Sequence, residues 1–145
     1  MEPPDTAETA EVAISNRQRD VAIDEAQLTS LAQTTLRGEG IGQAELSLSF
    51  VTPEEMAELH ERYLGESGPT DVLSFPMDES DDDVRVLGDV VICPAFATGN
   101  NPDIGSELRL LMVHGILHLL GYDHEEDEER AAMWARQQRY SGVAV

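Results

Sequence analysis

The stretch from Val113 to His124, VHGILHLLGYDH, holds three of the four histidines of this 145-residue chain. His114 and His118 are four residues apart, so on a helix they stand one turn apart on the same face. From Leu108 to Leu120 nearly every residue is apolar, the exceptions being Arg109, His114, Gly115 and His118. That pattern predicts a helix buried on most sides. Gly121 can adopt the left-handed conformation that ends a helix and turns the chain. The turn folds Tyr122, Asp123 and His124 back, bringing a third imidazole toward the first two.

Two imidazoles buried without partners would cost free energy that a bound metal ion returns. Three neutral nitrogens suit Zn²⁺, and three protein ligands leave a fourth position open to water, the mark of a catalytic rather than a structural site. A closed structural site would need a fourth ligand, and Cys93, the only cysteine, is the one candidate. Glu107 lies on the histidine stripe two turns earlier and reads as an acid of the helix N-terminus. Asp123 reads as a group that orients a ligand. His60, on an exposed helix, reads as an ordinary satisfied side chain. The spacing H-x3-H-x5-H, with glycine three residues after the second histidine, is that of the zinc-hydrolase motif HExxHxxGxxH. Gly115 stands where that motif carries its glutamate base.

The chain around this stretch reads as one soluble α/β (α+β) domain. Residues 1–11 read as a disordered acidic tail, and 12–145 as the domain. Strands are predicted at Val12–Ser15, Ala44–Val51, Asp71–Pro76 (with proline at its end) and Val86–Cys93, stopped by Pro94. Helices are predicted from Asp24 to Arg37, ended by Gly38 and Gly40, and from Pro53 to about Tyr63, capped by Thr52. The histidine helix follows a turn and is expected to be capped by Ser106, and a last helix runs from about Glu125 to Tyr140. Glu79–Asp83 (ESDDD) reads as a solvated acidic loop. Four to five helices and about four strands imply a mixed sheet.

Twenty-nine acidic residues against nine basic ones give a formal net charge of -20. Such a surface repels polyanions, because nucleic-acid affinity normally comes from basic groups that displace phosphate counterions. No apolar run approaches the ~20 residues that span a bilayer, the acidic start is no secretory signal, and a lone cysteine excludes an internal disulfide framework. The cytoplasm is therefore the expected compartment, without a membrane partner.

Three segments, HGILHLLGYDH (His114 to His124), GPTDVLSFPMDE (Gly68 to Glu79) and LGDVVIC (Leu87 to Cys93), carry a resemblance to a known family. Over about residues 12 to 140 the chain resembles the YbeY endoribonucleases, the ribosomal RNA maturation factors. The resemblance implies a zincin-like domain with Zn²⁺ on His114, His118 and His124. It also implies single-strand-directed RNA cleavage at the 3′ end of small-subunit rRNA and a part in ribosome quality control, with rRNA and the small subunit as partners. Many members carry arginine directly after the tyrosine that precedes the PTDVLSFP segment; here that position is Leu64. Arg62 lies two residues earlier, though on a helix it points about the opposite way from position 64.

Zinc lowers the pKa of its own water to about 7, so RNA cleavage does not require the missing glutamate, and the RNA 2′-hydroxyl is a second possible nucleophile. Gly115 costs ~1 kcal/mol relative to alanine in mid-helix. Its expected purpose is close approach, or room for a bulky anionic phosphodiester. Asp71 and Asp123 are candidate bases or ligand-orienting groups, and Thr70, Ser74 and Arg62 are candidate substrate contacts. Two other readings fit the residues: a metallopeptidase lacking its base, and a non-catalytic assembly factor that docks on basic ribosomal proteins.

Overall fold

The computed structural model describes residues 10–81, 84–122 and 126–143, and their side chains apart from those of 78–81 and 84. Nine elements follow one another: β1 (Glu11–Asn16), α1 (Glu25–Gly38), β2 (Ala44–Phe50), α2 (Pro53–Leu64), β3 (Val72–Asp81), β4 (Val84–Ile92), α3 (Pro94–Ala97), α4 (Ile104–Leu119) and α5 (Asp127–Ser141). The fold is the expected mixed α/β, with five helices beside a four-stranded sheet.

Several boundaries move for physical reasons. Ala10 is already buried, and its carbonyl accepts from the Gln33 side chain at 3.0 Å, so ordered structure begins before Val12; residues 1–9 of the expected tail lie outside the described residues. The acidic run is not simply a loop, because Glu79 to Asp81 continue β3 in an antiparallel hairpin; Asp82 and Asp83 lie outside the described residues. Asp103, not Ser106, caps α4: its carboxylate accepts from the Ser106 backbone at 3.3 Å and from the Ser106 hydroxyl at 2.7 Å. Those hydrogen bonds from Ser106 hold the Asp103 carboxyl below its ordinary range. A short helix, α3, begins at Pro94, where only a strand stop was expected.

The sheet order is β1-β2-β4-β3, with β1, β2 and β4 parallel and β3 antiparallel to β4 at an edge. Alternation along β4 divides the interior, since successive strand residues face opposite ways. Val90 and Ile92 join Leu46, Leu48 and Phe50 of β2, Leu28, Ala32 and Leu36 of α1, and Leu108, Met112 and Ile116 of α4 in the main core. Val91 faces the other side, where Met56 and Leu59 of α2 pack with Leu73 and Phe75 of β3 and with Cys93. Each fully buried aliphatic contributes about 1.5–3 kcal/mol, so the apolar face of α4 is a principal stabilising surface. Pro76 sits inside β3, not at its end; it adjoins a register shift on an edge strand, where a missing N–H is tolerated. Opposite it Gly88 has φ +134°, and a Cβ there would lie 2.2 Å from the Phe75 carbonyl oxygen.

Two features seat α4. Gly115 rests against the sheet so closely that a Cβ would lie 2.6 and 3.1 Å from the two methyls of Val90 and 3.2 Å from Ser74 Oγ. The Ser74 hydroxyl donates to the Gly115 carbonyl at 3.2 Å, stitching β3 to the helix. Beyond α4, Gly121 has φ +102°, the turn its sequence anticipates. Tyr122 then donates its hydroxyl to Glu39 Oε1 at 2.6 Å, Tyr140 of α5 donates to Glu39 Oε2 at 2.5 Å, and Arg136 Nε pairs with the same carboxylate at 3.3 Å. Arg136 also lies 4.9 Å from the Tyr122 ring centroid. One acid at the end of α1 thus clasps α5 and the residue that follows the histidine helix.

Burial alone would raise the pKa of Glu39, but the hydrogen bonds from Tyr122 and Tyr140 and the charge of Arg136 outweigh it and hold the carboxyl below its ordinary range. Burial, and next the hydrogen bond to Glu39, push Tyr140 up to about 12.

Two measurements check this packing. Gly115→Ala forces a methyl into the stiff, β-branched Val90 and is expected to lower stability by about 1–3 kcal/mol in urea unfolding. The raised Tyr140 pKa stabilises the fold fully below its ordinary value of 10.0, and that contribution is lost as pH rises through about 12. Tyr140→Phe is therefore expected to be less stable near neutral pH and to show a shallower loss of urea midpoint than the parent across that alkaline window.

Candidate metal centre

A helix buried on most sides can expose polar groups only where its neighbours leave a gap. On α4 that gap falls at His114 and His118, both half-buried amid the buried Leu111, Val113, Leu117 and Leu119. Their rings have centroids 4.6 Å apart at 75°. One helical turn has brought the two imidazoles side by side, as their spacing predicts.

The orientation of His114 has a partner far away in sequence. Its Nδ1 lies 2.5 Å from Oε1 of Gln137, on α5 and 97% buried. A carbonyl oxygen can only accept, so the contact fits an imidazole that carries a proton on Nδ1 and, when neutral, its lone pair on Nε2. That is the tautomer a metal ligand requires, held by a neighbour as ligating imidazoles usually are. Trp134 stands one turn before Gln137, its ring 6.3 Å from that of His114.

Two depressions flank the pair. The first, about 300 Å³, is lined by Leu64, Val72, Leu73, Ser74, Pro76, His114 and His118. The second, about 370 Å³, is lined by Asp71, Val72, Leu110, Leu111, His114, Trp134 and Gln137. His114 and Val72 border both, so His114 stands on the ridge between them, with His118 beside it on the side of the first. Asp71 is the only carboxylate among the described lining residues. Its Oδ2 accepts from Asn100 Nδ2 at 3.1 Å, and the same amide donates to the buried Glu107 at 3.0 Å. Thr70 lies against Asp71, its hydroxyl 3.5 Å from Oδ1.

The expected site residues are therefore divided. His114, His118, Ser74 and Asp71 converge on the ridge and its two depressions, with Thr70 behind Asp71. Arg62 is exposed and lines neither depression, whereas Leu64, 53% exposed, lines the first. His124 and Asp123 lie outside the described residues, and among the described residues no group of three metal-ligating side chains assembles. Cys93 is buried with Val51, Met56, Leu73 and Val91 and lines neither depression, so it does not close the site. His60 is an ordinary partnered side chain, with Nδ1 2.9 Å from the Gly68 carbonyl and Nε2 3.2 Å from Glu66.

The place of the missing glutamate is occupied rather than open. Position 115 faces Val90 and Ser74, so the expectation that Gly115 leaves room for substrate does not hold. Its purpose is close approach of helix and sheet. The position that carries the base in the peptidase motif is here a glycine committed to packing against the sheet. Sequence reasoning missed Gln137, Trp134, Asn100 and Glu39. Each acts on residues 7 to 101 positions away, and none belongs to a recognisable motif.

A family model described as Endoribonuclease YbeY matches residues 13–142. Among the relatives, the Endoribonuclease YbeY of Frankia casuarinae is 44% identical, over 85% of this chain and 69% of its own length. That of Acidothermus cellulolyticus is 48% identical over 87% and 86%, and that of Beutenbergia cavernae 46% identical over 87% and 91%. The solution structure of TM1509 from Thermotoga maritima is 31% identical, with a TM-score of 0.59 over 90% of this chain and 86% of that one. The chain belongs to the YbeY family of endoribonucleases, hydrolases that cleave RNA phosphodiester bonds.

Proposed function

We propose that this chain is a zinc-dependent, single-strand-directed endoribonuclease that matures the 3′ end of small-subunit rRNA and serves ribosome quality control in the cytoplasm. The observation that carries the proposal is the His114–Gln137 hydrogen bond beside His118. It fits a zinc ligand set, because a hydrogen bond from Nδ1 to a buried neighbour is the support that an imidazole ligating through Nε2 takes. His114, His118 and His124 would hold the ion, with the fourth position left for water or substrate. When bound, zinc supplies a water acidified to near neutrality and a Lewis acid for a phosphoryl oxygen.

The remaining roles fall to side chains of the chain itself. Gln137 fixes the tautomer and direction of His114. The hydroxyl of Ser74 is committed to the Gly115 carbonyl, so Ser74 positions the helix rather than gripping substrate. Asp71, steadied by Asn100 and flanked by Thr70, borders the second depression as an acceptor for substrate or proton. No arginine or lysine is among the described residues lining either depression, which leaves the charge of the scissile phosphate to the ion.

The net charge of -20 favours a second, compatible role in which the acidic surface docks on basic ribosomal proteins. Elemental analysis beside an assay on single-stranded RNA tests the first reading. About one zinc per chain is expected, lost together with cleavage in His114→Ala, His118→Ala and His124→Ala. Gln137→Ala, which keeps all three histidines, is expected to weaken metal affinity by about 10–100-fold. Metal retained in the histidine variants, or cleavage undiminished in them, would contradict the assignment. Ribosome association that survives His114→Ala while cleavage is lost would separate docking from chemistry.

A further inference from the structure

The second depression contains a feature that the metal site does not use. Gln137 is 97% buried, and its Oε1 is engaged by His114. With Oε1 turned to the imidazole, the amide Nε2 is turned elsewhere, and it has no acceptor among the described residues. A buried amide donor is ordinarily paired, and this one borders a cavity of about 370 Å³ shared with Trp134, Asp71 and His114. That volume is within the range of ligand clefts, roughly 300–1,000 Å³.

The chemistry of the walls narrows the ligand. No cation is among the described residues lining the cavity, and Asp71 contributes a carboxylate, so an anionic phosphate is disfavoured there. A flat, neutral ring is favoured: Trp134 offers an aromatic surface, Gln137 a donor and Asp71 an acceptor. The cavity also shares His114 with the metal ridge, which places its occupant next to any phosphate held at the ion.

We propose that this cavity is a nucleobase subsite. It takes one unpaired base of the RNA beside the scissile phosphate, packed against Trp134, with a ring carbonyl accepting from Gln137 Nε2 and a base N–H donating to Asp71. Uracil, guanine and cytosine carry such a carbonyl; adenine does not. The subsite gives a physical reason for single-strand preference, because a paired and stacked base cannot enter it. The inference rests on the reading of the ridge as an RNA-cleaving metal site.

Trp134 is the only tryptophan of the chain, so its fluorescence reports on the cavity directly. The probes are 2′-O-methyl pentauridine, the same oligomer with each position in turn made abasic, and 2′-O-methyl pentaadenosine. Each carries a terminal dye for polarisation measurements and is checked for intactness on a gel. With the metal-loaded protein, pentauridine is expected to quench Trp134, and one abasic position to weaken binding by about five- to a hundredfold. Trp134→Ala is expected to weaken binding comparably, and Trp134→Phe much less. Gln137→Glu keeps an acceptor for His114 but removes the donor, so it is expected to retain metal, to weaken pentauridine binding severalfold and to close the gap to pentaadenosine.

Abasic probes that bind like the intact oligomer, or no quenching of Trp134, would overturn the subsite. If metal and cleavage are present in that case, the endoribonuclease reading stands. Base-dependent quenching in a protein without metal or cleavage would support the subsite and contradict that reading.

Discussion

Much of this structure depends on one close approach, that of α4 to the sheet at Gly115. The helix is almost wholly apolar and therefore buried wherever it can be, and Gly115 lets it settle against Val90 with no side chain between them. The Ser74 hydroxyl fixes the contact by bonding the Gly115 carbonyl. With α4 held at that depth, the two imidazoles stay half-buried on its histidine face, His114 bordering both depressions and His118 the first. The same contact accounts for the absence of a carboxylate base. The position that would carry it is spent on packing.

Around this seat the polar network acts by orientation. Gln137 directs His114 from α5, and Glu39 gathers Tyr122, Tyr140 and Arg136 from segments that meet only in the folded chain. Hydrogen bonds to a charged carboxylate contribute about 1.5–3 kcal/mol each, and Glu39 receives several. Its clasp fixes Tyr122, two residues ahead of His124 in sequence. Packing of the helix, the Nδ1 contact of His114 and the anchoring of Tyr122 thus meet around one segment of the chain.

The elements were largely readable from sequence because periodicity reports burial. The alternation of Ala44–Phe50, the Thr52 cap with Pro53 and the apolar run of α4 each state a local preference that the fold obeys. Errors arose where a long-range partner overrode the local signal. Pro76 suggested a strand end, but a register shift opposite Gly88 carries β3 past it. Ser106 looked like a cap, but Asp103 is the residue that precedes the first turn. At the site, two histidines at helical spacing declare themselves. Gln137, Trp134 and Asn100 do not, since a glutamine on a surface-like helix carries no sign of the imidazole it will face. Arg62 was the opposite case: a charge of the right kind near the right segment, placed by the helix away from the ridge.

The proposed metal centre is an ion on three histidines with one open position. X-ray absorption at the metal edge of the metal-loaded protein tests it most directly. Three imidazole nitrogens at about 2.0–2.1 Å with one further light-atom ligand is the predicted result. A sulfur shell at about 2.3 Å, or a first shell with fewer than three imidazoles, would contradict it.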